Sequence, residues 1–266
     1  KNPSIKKDKI LDIGSNDGTF LNFFSKLGKR FDLFGIDPSA SAFIKNYNKK
    51  INLIIDFFNK KNVEDHFIKK DIKFSLITSY AMFYDIEEPN EFCKGIEKIL
   101  EKNGLWILEF SYFPLLLKNL TYDQICHEHC TYYSLSTFNK IISKNNLKIV
   151  DFSLNEINGG SIEVICAKKN SKYQSKRNKI QSLIKEENKI AKKDFEKFNL
   201  RMENSKKNLQ LFLAGQKKKD IIGYGASTKG NVILNYCNLK NNDISFICDA
   251  NPNKKGKFTP GSHIEI

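Results

Sequence analysis

Lys9-Ile-Leu-Asp-Ile-Gly-Ser-Asn-Asp-Gly18 is the stretch on which the fold turns. Its apolar run, 9–13, stops at Gly14, and residues 19–27 then show helical spacing up to Gly28. A short buried strand turning through glycine into a helix is the building unit of a parallel α/β sheet. Gly14 and Gly18 let the backbone turn sharply and approach a ligand closely.

Outward from this stretch the alternation continues. Strands are expected at 31–36, closed by Asp37-Pro38, and at 51–55, 74–79 and 105–110. Helices are expected at 39–46 and 89–100. The pattern predicts a parallel sheet with helices on both faces, with ligands held outside the carboxyl ends of the strands. Residues 111–134 break the alternation and read as a long irregular insert rich in Tyr, His and Cys, a kind of segment that more often serves function than structure. A helix at 136–144 and strands at 147–152 and 161–166 follow, the strands separated by a Gly159-Gly160 turn.

Residues 171–216 are charge-laced, with apolar positions such as Ile180, Leu183, Ile184, Phe198 and Met202 at helical spacing, and read as one or two amphipathic helices. The alternation then restarts with strands at 221–224 and 244–248 around a helix at 229–236. The expected organisation is a first α/β domain over 1–170, a helical linker over 171–217 and the start of a second, incomplete Rossmann-like α/β domain over 218–266, as in a fragment of a longer protein.

The composition narrows the function classes. Of 266 residues, 40% are apolar and 28% charged, which fits a folded globular chain. No run of about 18 apolar residues occurs, so no membrane helix and no membrane partner is expected. The N-terminus lacks a signal-peptide pattern, and a cytoplasmic location follows by default. The net charge is +14, but lysines are spread along the chain without an arginine-rich or aromatic-interleaved stripe. Solvated lysine is favoured over a nucleic-acid partner, and none is expected. Six dispersed cysteines read as free thiols.

Three strand ends carry the first candidate site. After the first strand come Asp12, Gly14, Asn16, Asp17 and Gly18, a spacing that is neither Gly-x-Gly-x-x-Gly nor a phosphate loop. Asp37 ends the second strand, where a carboxylate can accept from both ribose hydroxyls. Asp56 and Phe57 follow the third strand and offer an acid beside an apolar face for an adenine ring. A plain turn in which Ser15, Asn16 and Asp17 cap a helix is the alternative. In this order the three ends resemble class I methyltransferases, which implies S-adenosylmethionine as cofactor and adds Ser79, at the end of the fourth strand, to the site.

The second candidate is Tyr122-Asp-Gln-Ile-Cys126-His127-Glu128-His129-Cys130-Thr-Tyr132-Tyr133-Ser134. A histidine beside a carboxylate can be oriented and made more basic, as a general base requires. Were the segment extended, His127 and His129 would share a side and Glu128 would face away. Zinc ligation by Cys126, His127, His129 and Cys130 is a rival, but four ligands within five residues do not easily wrap one tetrahedral ion. A polar loop with hydrogen-bonded histidines is the plain alternative. The third candidate is Gly223-Tyr-Gly225-Ala-Ser-Thr228-Lys229-Gly230, a strand-to-helix turn whose backbone donors and Lys229 suit an anion. Binding of NAD competes there, with Asp249 near the place of a ribose acid.

Cys-His-Glu-His-x-x-Tyr-Tyr-Ser, Asn158-Gly-Gly-Ser161, Gly223 to Tyr236 and Pro260-Gly-Ser-His-Ile264 occur in an order that resembles the sugar C-methyltransferases of deoxysugar biosynthesis. The resemblance covers nearly the whole chain. It implies C3 methylation of a 4-keto nucleotide sugar, with an N-terminal zinc domain that would precede Lys1, so zinc is expected only there and no metal within this sequence. His129 becomes the expected base, with Glu128 tuning it and His127 donating to the enolate oxygen. Tyr84, Tyr133, Gly160, Ser161, Tyr224, Thr228 and Lys229 become the expected substrate contacts. Two positions depart from the family: Cys126 stands where it has tyrosine, and a histidine after the fourth strand is replaced near Tyr84-Asp85. An RNA or protein methyltransferase, suggested by the charge, and a non-catalytic nucleotide-sugar-binding protein are the other readings.

Overall fold

The structure is a computed structural model that describes residues 8–28 and 30–266. Residues 1–7, on which the signal-peptide reading rests, lie outside the described residues, as does Lys29. The fold divides into two compact units, one comprising the chain up to Phe113 with Cys130–Lys189, the other Pro114–His129 with Ile190–Ile266.

The first unit begins β1 (Asp8–Ile13), α1 (Thr19–Lys26), β2 (Phe31–Ile36) and β3 (Ile51–Ile54). A short α2 (Lys60–Val63) runs into a π turn, Glu64–Ile68, before β4 (Phe74–Tyr80), α3 (Pro89–Ile99) and β5 (Leu100–Ser111). After the excursion into the second unit come α5 (Leu135–Lys144), β6 (Leu147–Asn155), β7 (Ser161–Lys168) and α6 (Arg177–Glu187). The sheet order is β3-β2-β1-β4-β5-β7-β6. β1 to β5 pair in parallel, while β7 runs antiparallel to both β5 and β6. The first five strands are parallel as expected, and the two strands joined by the Gly159-Gly160 turn add an antiparallel edge. The connection after Asn155 is a tight turn through Asn158 (φ 53°), Gly159 (φ 81°) and Gly160 (φ 134°), too short for the crossover that parallel strands need. Order reverses between β1 and β4, the place where such sheets bind ligands.

The interior has two characters. Ile10, Leu21, Leu33, Ala40 and Ile51 form an aliphatic cluster on one side. Phe83, Trp106, Phe110, Tyr133 and Phe138 form an aromatic one, their rings 5.1–6.2 Å apart around Phe83. Edge and tilted ring pairs add specific geometry to plain burial.

Three local expectations change. Residues 38–46 form a 3-10 helix, not an α-helix, and the Ser41 hydroxyl donates to the Pro38 carbonyl there. The helical segment 60–68 escaped the apolar pattern because six of its nine residues are polar or charged, yet the Asn59 side chain caps it by accepting from Asn62 N at 2.9 Å. The insert is partly regular, with α4 (Phe113–Asn119) carrying Pro114 in its first turn, where proline is tolerated.

The second unit holds residues 114–129, α7 (Lys192–Ala214), β8 (Ile222–Tyr224), α8 (Thr228–Tyr236) and β9 (Phe246–Cys248). The expected linker is two helices, of which α6 belongs to the first unit and α7 to the second. β8 and β9 pair in parallel, and Leu234, Cys237, Leu239, Ile244, Ile247 and Ile264 form the core. No described helix is long and apolar enough to cross a membrane.

Candidate functional site

The first glycine turn is a backbone cradle. Gly14 (φ 75°) and Gly18 (φ 76°) both take left-handed conformations, which cost other residues about 1–2 kcal/mol. A Cβ at Gly14 would lie 3.3 Å from Met82 Cγ, and one at Gly18 would lie 2.8 Å from the Tyr47 ring. The glycines are therefore required by the turn's own packing against Met82 and Tyr47, and the fit to S-adenosylmethionine rests on Asp37 beside them. Asp37, 8% exposed, ties the loop together: Asn16 N donates to Oδ2 at 2.8 Å and Ser39 N to Oδ1 at 2.6 Å. A carboxylate has about four acceptor sites, so ribose hydroxyls can still be accepted. Asp12, 4% exposed, accepts from Thr78 Oγ1 at 2.7 Å. Burial pushes its carboxyl up to about 7, and the charge of Asp37 adds to the rise.

Other expected cofactor residues divide. Asp17, one residue before the cap position Gly18, accepts from Thr19 N and Thr19 Oγ1 at the start of α1. Phe57 is 66% exposed and presents an apolar face beside Asp56, whose own side chain accepts from Phe57 N. Ser79 departs from expectation: it is fully buried and its hydroxyl accepts from Trp106 Nε1 at 2.9 Å, so its side chain braces the core. Tyr47 was missed. Its hydroxyl donates to the Asn16 carbonyl and pairs with Ser15 Oγ, and no sequence spacing marks it.

Several expected substrate contacts in the first unit are core. Tyr133 is 1% exposed inside the aromatic cluster, and Ser161, fully buried, donates to the Ile157 carbonyl. Gly160 closes the β6–β7 turn, and its carbonyl accepts from Tyr112 N. Tyr84 is 8% exposed, with its carbonyl accepting from Thr131 N. These positions are explained by packing and turn geometry.

The His-Glu-His segment belongs to the second unit. It is a turn, not an extended run, with His129 N donating to the Cys126 carbonyl at 3.3 Å. The expected alternation of His127 and His129 therefore does not apply. His127 and Glu128 are exposed and His129 is half-buried. Burial lowers the His129 imidazole from its ordinary value, and the Lys229 ammonium lowers it further. Glu128 opposes both. Residues 114–129 are anchored within their unit. Arg201 donates to the Leu117 and Lys118 carbonyls, and the Tyr122 ring packs 5.2 Å from Tyr236.

The second glycine turn lies beside that segment. Thr228 Oγ1 donates to Glu128 Oε1 at 3.4 Å. Ser227 is the cap of α8, accepting from Gly230 N. A cavity of about 590 Å³ in this unit is lined by Cys126, His127, Thr228, Asn231, Asn235 and Gly261. The buried Asn231 Oδ1 has no protein partner, and such an acceptor calls for a donor. Tyr224 is 91% exposed and lines no part of this cavity. Asp249 is engaged by Ala226 N, Asn251 N and Lys254 Nζ, each at 2.8 Å, which weakens the NAD alternative. Among the described residues no group of three or more His, Cys, Asp or Glu is placed to hold a metal ion.

With this geometry in place, comparison with known proteins is informative. A family model described as a methyltransferase domain matches residues 2–151. The chain belongs to that family. A second model, described as a C-methyltransferase C-terminal domain, matches 156–266 of this methyltransferase. C-methyltransferase NovU of Streptomyces niveus is 28% identical over 263 residues, 97% of this chain and 62% of NovU. A carboxy-S-adenosyl-L-methionine synthase of Campylobacter jejuni is 32% identical over 102 residues, 37% of this chain and 42% of that protein. The chain thus spans less than two thirds of the length of these relatives. The plantazolicin methyltransferase BpumL, solved with S-adenosylhomocysteine, has a TM-score of 0.49 at 19% identity over 60% of this chain and 76% of its own. The sheet order and the family match give this methyltransferase the class I, S-adenosylmethionine-dependent architecture.

Proposed function

We propose that this methyltransferase transfers a methyl group from S-adenosylmethionine to a carbon of a nucleotide-linked keto-deoxysugar, through a base-assisted enolate. The similarity to NovU along 97% of the chain carries the reading. The placement of His129, Glu128, Thr228 and Lys229 in one unit supports it.

Gly14, Asn16, Gly18 and Asp37 would hold the cofactor, with the buried acid Asp12 two residues before Gly14. When bound, S-adenosylmethionine supplies an electrophilic sulfonium methyl. His129, through Nε2, takes the proton from the carbon next to the sugar carbonyl, and the bonding pair moves into the enolate. A lowered imidazole suits this work, because the ring stays neutral over most of the physiological range. His127, exposed on the same turn, donates to the developing enolate oxygen. Lys229, at the first turn of α8, pairs with the diphosphate.

The deciding experiment follows solvent deuterium exchange and methyl transfer on a panel of 4-keto nucleotide sugars. Wild type exchanges and methylates at least one of them. His129→Asn loses exchange by about a hundredfold or more while still binding cofactor. Exchange that survives in His129→Asn and vanishes in His127→Asn reverses the two roles. Exchange that survives in both removes the base from this turn.

A further inference from the structure

The chain passes between the two units at three points: after Phe113, after His129 and after Lys189. One buried carboxylate is tied to the chain beside all three. Glu187, the last residue of α6, is 7% exposed. Its Oε1 accepts from the Tyr112 hydroxyl at 2.6 Å and from Leu135 N at 2.7 Å, and its Oε2 from Ser136 N at 2.9 Å. Tyr112, 2% exposed, comes just before the first crossing, Leu135 and Ser136 soon after the second, and Glu187 itself just before the third. Backbone bonds tighten the same neck: Phe113 N donates to the Tyr133 carbonyl and Thr131 N to the Tyr84 carbonyl.

No step of the proposed chemistry uses Glu187. Capping explains part of its place, because the first N–H groups of a helix lack partners within it. Leu135 N and Ser136 N of α5 find theirs in Glu187, and Thr137 N in Ser134 Oγ. A cap has no need of Tyr112, and this third bond joins the end of β5 to the returning chain. Burial, and then the carboxylate, push the Tyr112 phenol well up, so it donates at every working pH. We propose that Glu187 is a positioning residue for the base: through Tyr112 and the first turn of α5 it pins the neck, so that the turn ending at His129 has a fixed root. This rests on the reading of His129 as the base. Cys130, the next residue, already belongs to the first unit, so slack in the neck reaches His129 through one peptide bond. A small misplacement of a reacting group lowers the rate without touching cofactor binding.

The test compares wild type, Tyr112→Phe, Glu187→Gln and Glu187→Ala. Amide hydrogen exchange is read at the neck, and methyl transfer is followed on the keto-sugar nucleotide that wild type accepts. Tyr112→Phe removes one hydroxyl and leaves both helix donors paired, so it keeps the cap and loosens only the neck. It should speed exchange of the Phe113 and Thr131 amides and lower kcat by about tenfold. Calorimetric affinity for S-adenosylmethionine should hold. Glu187→Gln keeps an acceptor for the phenol and should recover most of the kcat lost in Glu187→Ala. Wild-type amide exchange in Tyr112→Phe overturns the proposal, as does faster exchange with kcat unchanged, or a kcat that falls together with cofactor affinity. A lower melting temperature as the sole effect leaves Glu187 a helix cap and overturns it too. Should Glu187→Ala fail to fold, Tyr112→Phe carries the decision. His129→Asn separates the two readings. Solvent deuterium exchange at the sugar carbon that survives there removes the base. Its loss there, with the neck unmoved in Tyr112→Phe, removes the pin alone.

Discussion

The two glycine turns of this methyltransferase share one local device and differ in how they finish it. In each, a strand turns through a left-handed glycine into a helix, and an aspartate closes the next strand. Gly14 N donates to the Ile36 carbonyl and Gly225 N to the Cys248 carbonyl. Asp37 accepts from Asn16 N and Ser39 N, and Asp249 from Ala226 N and Asn251 N. The first turn has four residues between Gly14 and α1, and the cap position, Gly18, makes no side-chain bond. The second has two, and Ser227 caps α8. The first also has a buried acid two residues before its glycine, Asp12, where the second has Gly223. The first is an open turn with a strained acid, which suits a cationic cofactor, and the second is a capped turn whose acid is already neutralised.

Asp12 gives the largest expected difference. Its carboxyl is raised from 3.8 to about 7, so between those values the folded chain binds more protons than the unfolded one. Stability therefore falls as pH rises across that window and is flat above it, with an upper bound on the order of 4 kcal/mol. Asp12→Asn should be more stable than wild type at pH 8, with no such slope, and should bind S-adenosylmethionine more weakly. Thermal melts from pH 4 to 8 and calorimetry check both. An unchanged slope would separate Asp12 from the strain.

The glycines themselves come next. Gly18→Ala and Gly225→Ala both place a side chain at positive φ, each costing about 1–2 kcal/mol. Only the first drives a Cβ into the Tyr47 ring, since nothing lies within 4 Å of a Cβ at Gly225. Cofactor affinity should fall by more than about tenfold in Gly18→Ala and hold in Gly225→Ala. The reverse pattern in calorimetry would break the division of labour between the turns.

Asp37→Ala should weaken cofactor binding by about 1–3 kcal/mol, the range for losing charge-assisted acceptors. It should also lower the melting temperature without cofactor, because Asn16 N and Ser39 N lose their partner. If affinity holds while the melting temperature falls, Asp37 ties the loop and leaves the ribose to another group.

Much of the fold was readable because short apolar runs are punctuated by glycine and proline. β2, at Phe31–Ile36, fell where its Asp37-Pro38 boundary put it. What the pattern lacks is direction and depth. An apolar run does not say whether a strand is parallel, so β7 required the paired structure. A serine or tyrosine at a strand end looks alike whether it faces a ligand or the core. Ser79 and Tyr133 are buried by partners 27 and 23 or more residues away, Trp106 and the Phe110–Phe83 rings. The assignment of 114–129 to the second unit depends on Arg201 and Tyr236, which no local spacing announces. The chemistry-bearing cluster at 126–130 was readable from composition, its turn geometry was not.

The smallest expected effect is at Asp249, and it tests how the second turn keeps its shape. Its carboxyl is held at about 2, first by the hydrogen bond from Lys254 and then by Asn251 N and Ala226 N. A depressed carboxylate stabilises the fold above its ordinary value, 3.8, and that contribution is lost as pH falls toward about 2. Lys254→Met removes the largest cause, so the carboxyl should return part of the way toward its ordinary range. The acid limb of the stability profile between about pH 4 and pH 2 should become shallower, because less stabilisation remains to be lost there. Lys254 is partly exposed and its pair is screened by solvent, so the change at neutral pH should be slight. The two backbone donors remain, so the turn should keep its shape and cofactor binding at the first turn should be untouched. Urea unfolding at several acidic pH values, with calorimetry at pH 7.5, reads both. A steeper acid limb would show that Lys254 does not hold the Asp249 carboxyl down, and a loss of cofactor affinity would break the independence of the two turns.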